Sequence, residues 1–65
     1  MEAVFARWRV VTDRGTIETV AASVARAHRN AKYRIAMQDR PYRQPRPEDL
    51  AFMRDIEVLR SERIG

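Results

Sequence analysis

The chain has no cysteine, one histidine and two glycines, and each shortage closes off a class of chemistry. Without thiols there is neither a disulfide framework nor a thiolate metal site, and His28 cannot assemble a zinc site alone, so no metal or cofactor is expected. Gly15 and Gly65 are too few and too far apart to build a phosphate-cradling loop. Ser23 and Ser61 have a single histidine between them, which makes no catalytic triad. The carboxylate pairs Glu48 with Asp49 and Asp55 with Glu57 are adjacent or two apart, and such pairs do not face one another on a helix as a general acid and base must. The expectation is a protein that is not an enzyme.

Long apolar runs are missing as well. Nothing approaches the roughly 20 residues that span a bilayer, and Met1-Glu2-Ala3-Val4 lacks the basic-then-apolar pattern of a secretory signal. A soluble, cytoplasmic chain without a membrane partner is expected. With 65 residues there is room for one small domain and one small core. Chains of this size without covalent staples often lean on a partner or a second copy.

What is present is basic charge, concentrated in one stretch. From Arg26 to Arg46 there are seven basic residues and one acidic one, Asp39, a local charge of +6 in a chain whose net charge is +4. The residues before it sum to zero and those after it to −2. A pI near 10.7 favours nucleic acid or acidic protein surfaces as partners. Twelve of the thirteen basic residues are arginine, a ratio that a GC-rich coding sequence can give without selection for phosphate contacts, which weakens the inference from net charge.

The first element reads as a hairpin over residues 3–20. Val4, Ala6, Trp8 and Val10 alternate with Phe5, Arg7, Arg9 and Val11. Thr12-Asp13-Arg14-Gly15-Thr16 then carries Asp where a tight turn begins and Gly where a left-handed residue is wanted. Val4, Phe5, Trp8 and Val11 also share a helical stripe, which leaves an all-α three-helix chain as the alternative. The turn and the β-branched residues on both sides of it favour strands. On that reading Trp8 belongs to the core. The edges of the hairpin invite pairing with another chain, a possible homodimer among the outcomes.

From Ala21 the apolar period lengthens. Val24, Ala27, His28, Ala31 and Ile35 form one face of a helix over 22–38, with Ser23 placed to cap it and His28 placed as a hydrogen-bonded core histidine. Residues 32–38 also alternate as a third strand would. Pro41, Pro45 and Pro47 force a loop over 39–46. Pro47, Glu48 and Asp49 open a second helix, read as 47–63, with Phe52, Ile56 and Leu59 as its stripe and Arg60 and Arg63 at its C-terminal end. Leu50 and Val58 fall outside that stripe. The architecture expected is α+β: an N-terminal β-hairpin packed on a long amphipathic helix, a Pro-rich basic loop and a C-terminal helix.

The candidate site is Arg26, Arg29, Lys32, Tyr33 and Arg34 on the helix, then Arg40, Tyr42, Arg43 and Arg46 in the loop. Arginine offers a phosphate two donors at once, tyrosine offers a base a stacking surface, and the summed field attracts a polyanion before contact. No zinc finger, RRM aromatic motif or GXXG loop accompanies them, and residues 16–37 lack the glycine-containing turn of a helix-turn-helix. Two functions follow as expectations. One is nucleic-acid binding, or binding to a nucleic-acid-handling complex, carried by phosphate contacts. The other is a compact inhibitor, adaptor or accessory subunit of the kind phage or plasmid genomes encode, docking on an acidic protein surface with Phe5, Leu50 and Val58 as its apolar centre. A passive subunit of a larger assembly is a third possibility.

Overall fold

A computed structural model of the chain describes residues 4–38 and 44–65. Its elements are β1 (Ala6–Thr12), β2 (Gly15–Ala21), α1 (Val24–Ala36), α2 (Pro47–Asp55) and β3 (Val58–Arg63). The three strands form one antiparallel sheet in the order β2-β1-β3. The fold is α+β with an N-terminal hairpin packed on a helix, as the alternation and the turn residues predict, and the all-helical alternative is overturned.

The hairpin closes on Asp13 and Arg14, with Thr12 paired to Gly15. Gly15 has φ +136°, a region that L side chains avoid, which is why a glycine stands there. Thr12, itself buried, works on both sides of the turn: its hydroxyl donates to the Gly15 carbonyl at 2.7 Å and accepts from the Arg14 N–H at 3.0 Å. Register then puts Ala6, Trp8, Val10 and Thr12 on the inner face of the sheet beside Ala21, Thr19 and Ile17. Arg7, Arg9 and Val11 share the outer face with Val20, Glu18 and Thr16.

Helix α1 begins where Ser23 accepts a hydrogen bond from the Arg26 N–H at 3.3 Å, and its last turn closes with the Met37 N–H on the Tyr33 carbonyl. Residues 32–36 are therefore helix, not strand. Ala27 and Ala31 face the sheet and are fully buried with Val10 and Ala21, flanked by Trp8, Ile17 and Val58. Alanine at the contact lets the helix axis approach the sheet closely. Trp8 is the large side chain at the margin of this core, half-buried, with its indole N–H on the Ala21 carbonyl at 3.1 Å.

Helix α2 starts at Pro47, its first turn held by the Asp49 carboxylate, which accepts from the Arg46 N–H at 2.9 Å. It packs on α1 rather than on the sheet. The helix expected over 47–63 does not run its length: it stops at Asp55. Ile56 turns to an extended conformation (ψ 123°) and is buried, and Val58–Arg63 runs as the third strand. The basic residue in the last turn of α2 is Arg54, while Arg60 and Arg63 lie on β3. Val58 packs against the core and Leu59 is left 58 % exposed, the reverse of what a continuous helix requires.

The cause lies in β1. A two-stranded ribbon is marginal in water and leaves one side of each strand's backbone unpaired. β3 supplies the missing partners along β1, pairing Trp8 with Arg63, Arg9 with Glu62, Val10 with Ser61 and Val11 with Arg60, with a register shift between Val11 and Thr12. The turn is tied to the same strand: the Asp13 N–H donates to the Glu57 carbonyl and the Glu57 N–H donates to the Asp13 carboxylate, each at 3.0 Å.

Candidate functional site

The basic residues of α1 do not form the single arc that their helical spacing suggests. Arg34 swings to the edge of the sheet, where its guanidinium donates to the Glu18 carbonyl of β2 at 2.6 Å. Tyr33 is half-buried and lines a hollow with Arg34, Ile17, Met37 and Gln38 on that same side. Arg46 stands before α2, 4.0 Å from Glu48. Arg40, Tyr42 and Arg43 lie outside the described residues.

The residues that do converge are Arg29 and Lys32, and they are joined by one that the sequence reading did not single out. Arg54 of α2 faces them across an open cleft of about 370 Å³ between the two helices, whose remaining lining is Ala25, His28, Leu50 and Met53. Arg26, three residues before Arg29, is exposed on the neighbouring solvent face of α1. Among the described residues no carboxylate ion-pairs with Arg26, Arg29, Lys32 or Arg54. The cleft thus has a cationic rim over a largely apolar floor, in which Leu50 remains 46 % exposed. A signal for Arg54 was present: Leu50, Met53 and Arg54 stand at i, i+3 and i+4, so the leucine left over from the buried stripe carries an arginine beside it.

The outer face of the sheet is electrostatically different. Glu18 of β2 lies 3.6 Å from Arg7 and 3.7 Å from Arg9, and Arg9 also reaches Glu62 of β3 at 3.0 Å. These arginines are largely neutralised by cross-strand partners. Arg14 beside the turn stacks over Phe52 at 5.1 Å and lies 3.9 Å from Asp13.

His28 and Ser61 are brought together although 33 residues separate them, with the ring Nε2 2.9 Å from the serine hydroxyl. Both are half-buried, and the bond ties α1 to β3. Among the described residues no carboxylate orients the ring, so the pair is a tie between two elements without the third member of a triad, and His28 is half-buried at the cleft, outside the buried core cluster. No group of three or more potential metal ligands occurs among the described residues, and no helix there is long and apolar enough to cross a membrane.

Comparison of the chain with protein-family models, with curated proteins and with solved structures finds no match.

Proposed function

We propose that the chain is a small non-catalytic module that binds the phosphate backbone of a nucleic acid through the α1–α2 face, with Arg26, Arg29, Lys32 and Arg54 as the contacting cations. One observation carries the reading: basic side chains from two helices meet around one cleft without carboxylate partners among the described residues, whereas the arginines in the middle of the sheet's outer face have them. Cations that no internal acid neutralises keep their field for an external anion. Arginine forks and a lysine point charge hold phosphate oxygens without reading base edges, so affinity with little sequence preference is the expected behaviour.

The test is titration of random duplex DNA, single-stranded DNA and RNA across a salt series. Binding should weaken steeply with salt, by about 0.9 in the log–log slope for each phosphate neutralised on a duplex. Reversing Arg29, Lys32 and Arg54 to Glu should abolish binding, whereas Arg7→Glu, on the neutralised face, should change it little. Unchanged affinity in the triple variant, or no binding at low salt, ends the reading.

A second reading is favoured by the cleft floor. Ala25, Leu50 and Met53 offer an apolar seat that a phosphate backbone does not use and that an apolar side chain framed by carboxylates does. An acidic partner protein, bound by this chain as an inhibitor or adaptor, would survive competition by random DNA and would be lost on Leu50→Asp. Displacement of the partner by competitor DNA would return the case to the first reading.

A further inference from the structure

The two edges of the sheet are treated differently. On β2 the outward-facing carbonyls of Glu18 and Val20 are occupied by side chains of α1, Arg34 at 2.6 Å and Asn30 at 3.5 Å. That edge is closed to another strand in the way native sheets commonly protect themselves. On β3 no described element lies along the outer edge, since β3 packs only on β1 and α1. Backbone groups alternate in direction along an antiparallel strand. Because Ile64 donates to Arg7 and the Arg9–Glu62 and Val11–Arg60 pairs continue the same side, the N–H and C=O groups of Ser61 and Arg63 point to the open side.

We infer that β3 pairs antiparallel with β3 of a second copy of this chain, on a two-fold axis through Ser61, to make one continuous six-stranded sheet. Opposite charges fall in register across that axis. With Ser61 on the axis, Arg60 of each copy stands opposite Glu62 of the other, on the outer face and at the close spacing of a non-hydrogen-bonded pair. Within one chain Glu18, Arg9 and Glu62 already form a row across the outer face, negative, positive, negative. Arg60 of the second copy extends that row with the sign it lacks. Arg60 has no carboxylate partner among the described residues, so the dimer gives it one twice over. The Ser61 pair exchanges both main-chain bonds across the axis. Within Val58–Arg63, no shift of that register by one or two residues pairs opposite charges on both sides of the axis.

Sedimentation velocity from about 10 μM to about 1 mM tests this, as does amide exchange at the two concentrations, since an edge-only interface is weak. The expected result is a mass rising from one chain to two, with the Ser61 and Arg63 amides gaining protection at the higher concentration. Arg60→Glu sets like charges opposite each other and should weaken dimerisation by about tenfold, and Arg60→Glu with Glu62→Arg should restore it. A chain that stays monomeric at the highest concentration overturns the inference. So does a dimer indifferent to Arg60→Glu, or one that the charge swap leaves weakened. If a variant does not fold, judged by its far-ultraviolet dichroism, the concentration dependence of amide exchange in the natural chain decides alone.

Discussion

Arg34 of α1 and Glu18 of β2 are joined through the main chain, the guanidinium donating to the Glu18 carbonyl at 2.6 Å while the Glu18 carboxylate turns to Arg7 and Arg9 on the opposite face. One glutamate thus takes part in two unrelated tasks. Its backbone is capped by the helix, and its side chain joins the charge row of the sheet. Arg34 is consequently a weaker candidate for phosphate contact than its place in the basic stretch implies.

Arg34→Gln and Arg29→Gln should therefore separate stability from binding. Losing the Arg34 bond at an exposed edge should cost about 0.5 to 1.5 kcal/mol, read as a fall of several degrees in Tm for a chain of this size. The salt slope of nucleic-acid binding should not change. Arg29→Gln should leave Tm within error and lower that slope by about 1. The opposite pattern would place Arg34 in the interface and Arg29 outside it.

Asp13 holds the start of β3, since its carboxylate is the acceptor for the Glu57 N–H. Asp13→Ala should cost about 1 kcal/mol and speed amide exchange at Glu57 ahead of the hairpin amides. Equal exchange at Glu57 in both proteins would show that the turn does not secure the strand.

His28 and Ser61 form one cross-element bond, so their removals should overlap. His28→Ala and Ser61→Ala should be non-additive in urea unfolding, with a coupling of about 0.5 to 1.5 kcal/mol. Additive effects would mean that the bond contributes nothing to holding α1 against β3.

Ile56 and Leu59 distinguish a strand from a continued helix. Ile56 is buried, so Ile56→Ala should cost about 2 to 5 kcal/mol and leave so small a domain close to unfolding. Leu59 is mostly exposed, and Leu59→Ala should fall within about 0.5 kcal/mol of the natural protein when measured on the monomer. A helix running to residue 63 would put both in one stripe and make both changes costly.

Much of the first half was legible because its signals are local. Thr12 to Thr16 specify a turn through their own hydrogen bonding and the φ of Gly15, and Ser23 supplies the cap that starts α1 within three residues. Pro47 with Glu48 and Asp49 marks the start of α2 by the same short-range chemistry. The end of α2 was not legible. Residues 56–63 carry Ile56 and Leu59 at helical spacing as well as a weak alternation in which the inward position is Ser61, a polar residue that gives no hydrophobic signal. The site divides in the same way. Arg29 and Lys32 were visible as neighbours on one helix, whereas Arg54 joins them only through the packing of α2 on α1.

By itself, then, the amino-acid order determined the hairpin, the capped helix, the start of α2 at Pro47 and the crowding of positive charge, because each depends on residues a few positions apart; most of the loop expected over 39–46 lies outside the described residues. Tertiary structure decided that residues 58–63 become a strand, that Arg34 serves the sheet edge and that Arg54 completes the cleft. The physical reason is the unpaired side of β1. Its backbone donors and acceptors have no local partner, and a segment some fifty residues further along the chain satisfies them at the expense of its own helical tendency.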